Sequence, residues 1–162
     1  MESLFRRHWP AAYRAACFVV HDAAAGEDIA QEAFLAAIRA LDRFDRRRPF
    51  GPWLHRIVVN RAIDWARSRS LRREVAARAE SEVARAGLHV VEPKSGGPLS
   101  DEATEALASL SPEHRAVIVL RYLLDYTPGE IAEMLELPRG TVNSRLRRAL
   151  DRLQAQLGGP AS

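Results

Sequence analysis

The sequence predicts an all-α fold: two small helical domains joined by a flexible linker. Three observations predict it. Apolar residues recur at three- and four-residue spacing along most of the chain, and no run shows the strict alternation of a half-buried strand. Residues 87–98 interrupt that pattern with Pro93, Gly96, Gly97 and Pro98, the composition of a linker. The 162 residues, 47% of them hydrophobic, suffice for one domain or two small cores. The expected boundaries are 1–72, 73–99 and 100–158.

Taken in order, residues 4–20 read as a first helical region with Leu4, Phe5, Trp9, Tyr13, Ala16 and Val20 as apolar positions. Pro10 is a candidate break within it. Residues 22–26 read as a break between helices. Residues 27–41 form a second helix, with Ile29, Ala33, Phe34, Ala37, Ile38 and Leu41 on one face. Residues 43–52 read as a loop holding two prolines, a glycine, two aromatics and four arginines. A third helix runs from Trp53 to about residue 69, with Trp53, Leu54, Ile57, Val58, Ala62 and Trp65 available for packing. Residues 72–85 still carry a polar helical pattern. Beyond the linker, Ser100-Asp101 and Ser111-Pro112-Glu113 are helix starts of the capping type. Val117, Ile118, Leu120, Tyr122 and Leu123 follow as apolar positions.

Residues 127–150 are the most informative stretch. Thr127 caps a short helix, Pro128 suits its first turn, and Glu130 completes a capping box. Ile131, Met134 and Leu135 then face a core. Residues 137–140, Leu-Pro-Arg-Gly, stop the pattern. Thr141 starts a second run whose stripe is Val142, Leu146, Ala149, Leu150 and Leu153. Asn143, Ser144, Arg147 and Arg148 lie mostly off that stripe, where short polar and forked cationic groups suit base edges and phosphates. Capped helix, tight turn and basic helix in that order are a helix-turn-helix. The plainer alternative is a solvated arginine-rich surface helix.

The charge is clustered. Lys94 is the only lysine, and the net charge is only +3 with a pI near 9.6. Residues 42–73 nevertheless carry ten arginines against three aspartates, a net of +7, and residues 138–152 carry five against one, a net of +4. Two separated basic segments suggest two contacts with a polyanion. Cys17 is the only cysteine, which excludes an internal disulfide; among Ala15, Ala16, Phe18 and Val19 it reads as a buried small residue. No signal peptide and no apolar run of membrane-spanning length is visible, so a cytoplasmic location is expected. The five histidines are scattered and make no metal site. No cofactor is expected.

Both halves resemble one family, the extracytoplasmic-function class of bacterial sigma factors, which retain only sigma regions two and four. The segment EDIAQEAFLAAI at 27–38 resembles the polymerase-binding helix of region two. The stretch from Phe44 to Phe50, followed by WLHRIVVNRAID at 53–64, resembles its strand-reading part. LSPEHR at 110–115 and LRY at 120–122, followed by the helix-turn-helix, resemble region four. The resemblance implies an alternative sigma factor that binds core RNA polymerase, reads minus-ten and minus-thirty-five promoter elements and promotes melting, without catalysis of its own. It implies that Asp28, Gln31 and Glu32 meet the clamp helices of the largest subunit and that region four packs on the flap of the second-largest. It assigns Phe44, Asp45, Arg46, Phe50, Asn60 and Arg61 to the minus-ten element, with Arg67 and Arg69 tracking phosphates. Asn143, Ser144, Arg147 and Arg148 match positions that touch the upstream element, and Arg139, Thr141 and Arg145 would hold phosphate. A regulatory anti-sigma partner is implied as well. The arginine run 46–48 and the two prolines of its loop depart from the family pattern.

Other readings stand beside these. Trp53, Phe34 and Trp65 read first as core residues. Phe44 and Phe50 read equally as packing or as stacking surfaces for bases. Asp28, Gln31 and Glu32 could be a solvated helix face, and Asn60 with Asp64 a local pair four residues apart. A dimeric helix-turn-helix regulator would fit the second half but leave residues 44–64 unexplained. A nuclease would need clustered acids, a nucleophile–base pair or a phosphate loop, and the sequence shows none of these.

Overall fold

The computed structural model describes residues 2–80 and 100–158, and every regular element among them is helical. Residues 87–98, read as a linker, lie outside the described residues.

Helix α1 spans Glu2–Val20 and passes through Pro10 unbroken. Pro10 is exposed, so water can take up the carbonyl one turn back that loses its N–H partner. The buried stripe is Ala12, Ala15, Ala16, Val19 and Val20. Small residues, rather than Phe5 and Trp9, therefore form the seam; Phe5 is 45% exposed. Helix α2 spans Ala23–Arg39, so residues 22–26 are not the break the sequence suggested. The chain turns at His21, whose φ is 54°, and the Asp22 carboxylate accepts from the Ala25 N–H at 3.0 Å to cap α2. Gly26 lies inside α2 because the two helices nearly touch there. A Cβ on Gly26 would stand 2.5 Å from Cys17 Sγ and 2.8 Å from Cys17 Cα, closer than packed atoms come.

A short turn, Leu41–Arg43, leads through the loop 44–49 into helix α3, Phe50–Glu80. Phe50, Gly51 and Pro52 are thus its first turn rather than loop, where proline's missing N–H costs nothing. Leu54, Val58, Val59, Ala62, Ile63 and Ala66 are buried and close the first core with α1 and α2. The helix continues through residues 73–80, past the expected domain edge, and every residue from 70 to 79 is exposed.

In the second half, Ser100 caps α4 (Asp101–Ala108) and Ser111 caps α5 (Pro112–Ile118). A π-helical turn, Val119–Leu123, follows, then α6 (Pro128–Leu135) and α7 (Arg139–Leu157). Leu120, Ile131, Val142 and Ala149 are fully buried between these elements. The two halves pack together, and their buried residues form one continuous cluster. Arg115, only 8% exposed, pins the junction. Its Nε donates to the Val19 carbonyl of α1 at 2.8 Å, and one Nη donates to the Ala108 and Leu110 carbonyls at 3.1 and 3.0 Å. A buried guanidinium is tolerated because carbonyl dipoles replace the water it lost.

Candidate nucleic-acid interface

The helix-turn-helix is built locally. The Thr127 hydroxyl accepts from the Glu130 N–H at 3.2 Å while the Glu130 carboxylate accepts from the Thr127 N–H at 3.0 Å, the reciprocal capping box read from the sequence. That backbone donor holds the Glu130 carboxyl below its ordinary range. Helix α6 ends at Glu136, whose φ of 55° and ψ of 48° are left-handed, a conformation usually left to glycine. Helix α7 begins at Arg139, two residues before Thr141, with Gly140 in its first turn. Val142, Leu146 and Ala149 are buried and fix the rotation of α7. Arg139, Asn143, Arg147 and Arg148 therefore face outward and are exposed, while Thr141, Ser144 and Arg145 are half-buried at the edge of that face. Leu150 departs from the expected stripe: it is 39% exposed.

The first half gathers a second group. Phe44 stacks on Trp53 with ring centroids 4.5 Å apart, and Phe50 meets both edge-on, at 6.0 Å from Phe44 and 5.7 Å from Trp53. His8 of α1 covers Phe50 at 5.1 Å. The four rings form a half-buried platform, so Phe44 and Phe50 are packed and still partly open. Trp53 and Trp65 are likewise half-buried, whereas Phe34 is buried. In the loop, Asp45 Oδ1 accepts from the Arg47 N–H at 3.0 Å and from its Nε at 3.2 Å. The turn leaves Arg46 and Arg48 exposed.

Asn60 and Arg61 lie ten and eleven residues beyond Phe50, about 15 Å along α3. Asn60 makes no local pair with Asp64 among the described residues. Its amide donates to the Arg56 carbonyl at 2.8 Å and to the Met134 carbonyl of α6 at 3.3 Å. Arg61 lies 3.7 Å from Glu32 of α2, which joins the expected minus-ten residues to the expected polymerase-binding ones. Arg67 pairs with Glu113 of α5, and Arg69 pairs with Asp22 at 3.1 Å and lies over the Trp65 ring. Both arginines are thus paired within the chain, in ion pairs that stay partly open to solvent.

Asp28, Gln31 and Glu32 are all exposed on α2. Sequence reasoning missed their apolar neighbours. Leu35 is 52% exposed and Ile38 40%, and with Asp28 and Gln31 they recur at helical spacing on one outward face. The periodicity puts Ile38 on the core face, but the buried alanines of α2 are Ala30, Ala33 and Ala37, and Ile38 stays open. Also missed was an open apolar groove of about 350 Å³ where Phe18, Leu107, Ile118, Tyr122, Leu150 and Leu157 converge. The available signal was a surplus: Leu150, Leu153 and Leu157 exceed what the buried face of α7 needs.

Cys17 is half-buried rather than buried. Burial raises its thiol above the ordinary range. Among the described residues no helix is long and apolar enough to cross a membrane, and no His, Cys, Asp and Glu side chains cluster to hold a metal ion.

Comparison with known proteins agrees with this architecture. Sigma-70 region 2 matches residues 4–72, and sigma-70 region 4 matches residues 106–155. The ECF RNA polymerase sigma factor SigW of Bacillus subtilis is 36% identical, over 85% of this chain and 76% of its own. The RNA polymerase sigma factor CarQ of Myxococcus xanthus is 31% identical, over 97% of this chain and 88% of its own. Among solved structures, CnrH in complex with the cytosolic domain of CnrY is similar with a TM-score of 0.68 and 30% identity, covering 99% of this chain and 88% of that one. The sigma factor RpoE bound to the anti-sigma factor NepR, from Bartonella quintana, shares the fold with a TM-score of 0.74, covering 99% of this chain and 98% of that one. The chain therefore belongs to the sigma-70 family, as an alternative sigma factor of the extracytoplasmic-function class that serves transcription initiation.

Proposed function

We propose that this sigma factor divides promoter recognition between its two basic faces and acts by binding alone. The observation that carries this reading is the outward face of α7, where Arg147, Arg148 and Asn143 are exposed over a buried Val142, Leu146 and Ala149 stripe. Helix α7 enters the major groove of the minus-thirty-five element. Asn143, Ser144, Arg147 and Arg148 touch base edges, and Arg139, Thr141 and Arg145 hold phosphates.

The minus-ten element is taken as single strand by Phe44, Asp45, Arg46, Phe50, Asn60 and Arg61. A flipped base needs an aromatic surface and a few polar groups; the ring platform supplies the surface beside the polar loop 45–48, and Asn60 and Arg61 meet the strand further along α3. Binding energy to the unpaired strand offsets lost pairing and stacking, so trapping the strand promotes melting. Asp28, Gln31 and Glu32, with Leu35 and Ile38, dock on the polymerase clamp helices. The apolar groove beside α7 receives the flap, since a contiguous apolar surface rimmed by polar residues marks an interface. An anti-sigma partner is supported by the similarity to CnrH, solved with the cytosolic domain of CnrY.

Run-off transcription with core polymerase on a genomic promoter library tests this reading. Polymerase-dependent initiation at a shared pair of elements is expected. Tight, two-fold-symmetric duplex binding without polymerase would overturn it in favour of a stand-alone regulator.

A further inference from the structure

Ion pairs within the chain take up Arg6, Arg47, Arg56, Arg61, Arg67 and Arg69, with Arg56 meeting Glu136 at 2.6 Å. Helix α7 is different: among the described residues no carboxylate pairs with its Arg145, Arg148 or Arg152. These three recur at three- and four-residue spacing and share one edge of the helix. Gln156 continues that edge one turn on, and its side-chain oxygen accepts from the Ser109 hydroxyl at 2.9 Å. That bond seats the edge against the corner between α4 and α5. His114 stands in the first turn of α5 beside this corner. Its backbone N–H is already given to the Ser111 hydroxyl, at 3.3 Å, and its ring is half-buried. Burial lowers the ring below its ordinary range, and the charges of Arg145, Arg148 and Arg152 lower it further against the opposing charge of Glu113. Glu113 itself is held by Arg67 of α3. Even without Arg67, three arginines and a histidine face one carboxylate.

We propose that His114 and Arg152, together with Arg145, form a clasp for one sugar-phosphate strand at the rim of the groove that α7 enters. The proposal rests on α7 reading the upstream duplex, as argued above, and adds two residues outside the face assigned to that reading. From Arg145 to Arg152 the helix rises about 10 Å, a length over which one DNA strand carries about three phosphates. Guanidinium forks match phosphate oxygens, and repulsion among cations gathered at one corner is relieved by a polyanion. A strand held at the rim sets the depth and register of α7 without carrying sequence information. The His114 ring contributes a charge only when protonated, and an adjacent phosphate favours that form. Duplex binding in mild acid therefore takes up a proton at His114.

The test uses core polymerase reconstituted with the full chain, and a fluorescein-labelled duplex carrying the upstream element that run-off transcription selects. Affinities are measured at several salt concentrations, at pH 6 and at pH 8. Arg152→Ala should lower the salt slope by about one at both pH values and leave the base preference unchanged. His114→Gln should lower it by about one at pH 6 and leave it unchanged at pH 8. His114→Arg should keep the pH 6 slope of the wild type and extend it to pH 8. An unchanged slope in Arg152→Ala, or an equal effect of His114→Gln at both pH values, would overturn the clasp. Weakened binding of Arg152→Ala to core polymerase without DNA would place the cluster against the polymerase and overturn it too. Run-off transcription separates this proposal from its foundation. A wild type that supports no polymerase-dependent initiation removes the duplex reading and the clasp together. An active wild type whose variants keep the same slope refutes the clasp alone.

Discussion

The Tyr126 hydroxyl and His55 Nδ1 lie 2.6 Å apart although the residues are 71 positions apart in sequence. The other ring nitrogen of His55 is buried with no hydrogen-bond partner among the described residues. Burial, with the charge of His8 behind it, pushes the His55 ring down to about 4, and burial pushes the Tyr126 phenol up to about 12. Both are neutral at the junction of the two regions.

Stability should therefore depend on pH through His55. The ordinary histidine value is 6.5 and the folded value about 4, so between them the unfolded chain binds more protons. The contribution is complete above the upper value and is lost as pH falls toward the lower one, up to about 3 kcal/mol. Burial lowers His8, His21 and His114 in the same direction. Urea unfolding across this window should show stability falling with acid, and the His55 ring should remain neutral by NMR through the upper part of it.

Arg115 satisfies three carbonyls from two halves of the chain. Arg115→Met should cost about 2–4 kcal/mol, because it strips buried acceptors of their donor. Arg115→Lys should recover only part, since a single ammonium cannot reproduce the fork. Denaturant midpoints at constant m-value measure both.

Gly26 is set by the backbone of Cys17, not by its thiol. Gly26→Ala should destabilise by about 1–3 kcal/mol through overpacking. Adding Cys17→Ala removes the sulfur at 2.5 Å but not the Cys17 N and Cα at 2.8 Å. The double variant should stay destabilised; full recovery in thermal melts would contradict the close helix crossing.

Two arginines of α7 should separate by salt dependence. Arg148→Ala should weaken binding to the cognate upstream element by about 1–3 kcal/mol and relax the base preference there. Arg139→Ala should weaken all duplexes alike and lower the salt slope by about one. Duplex titrations at several salt concentrations distinguish the two.

What the sequence disclosed follows the range of the forces involved. The caps at Ser100, Ser111 and Thr127 were legible because each is settled within four residues. Arg147 and Arg148 were legible because the stripe opposite them fixes the rotation of α7. Pro10 and residues 22–26 mislead because a solvated proline and a glycine at a helix crossing look, locally, like breaks. The first turn of α3 is hidden in the sequence because Phe50, Gly51 and Pro52 resemble a loop until the ring platform around Phe44 and Trp53 is assembled. The pairings of His55 with Tyr126, Arg56 with Glu136 and Asn60 with Met134 carry no sequence signal, because they exist only when two distant surfaces meet.

The outer turns of α3 set a length rather than a contact. Residues 70–79 are all exposed, and a solvent-exposed helix end is only marginally stable in water. Each residue there that leaves the helix extends its path from about 1.5 Å to about 3.3 Å. Melting ten of them adds about 18 Å of reach by the same figures. The tail of α3 is therefore a reserve of slack. A factor whose two readers must sit at a spacing dictated by DNA can pay out chain from this helix end.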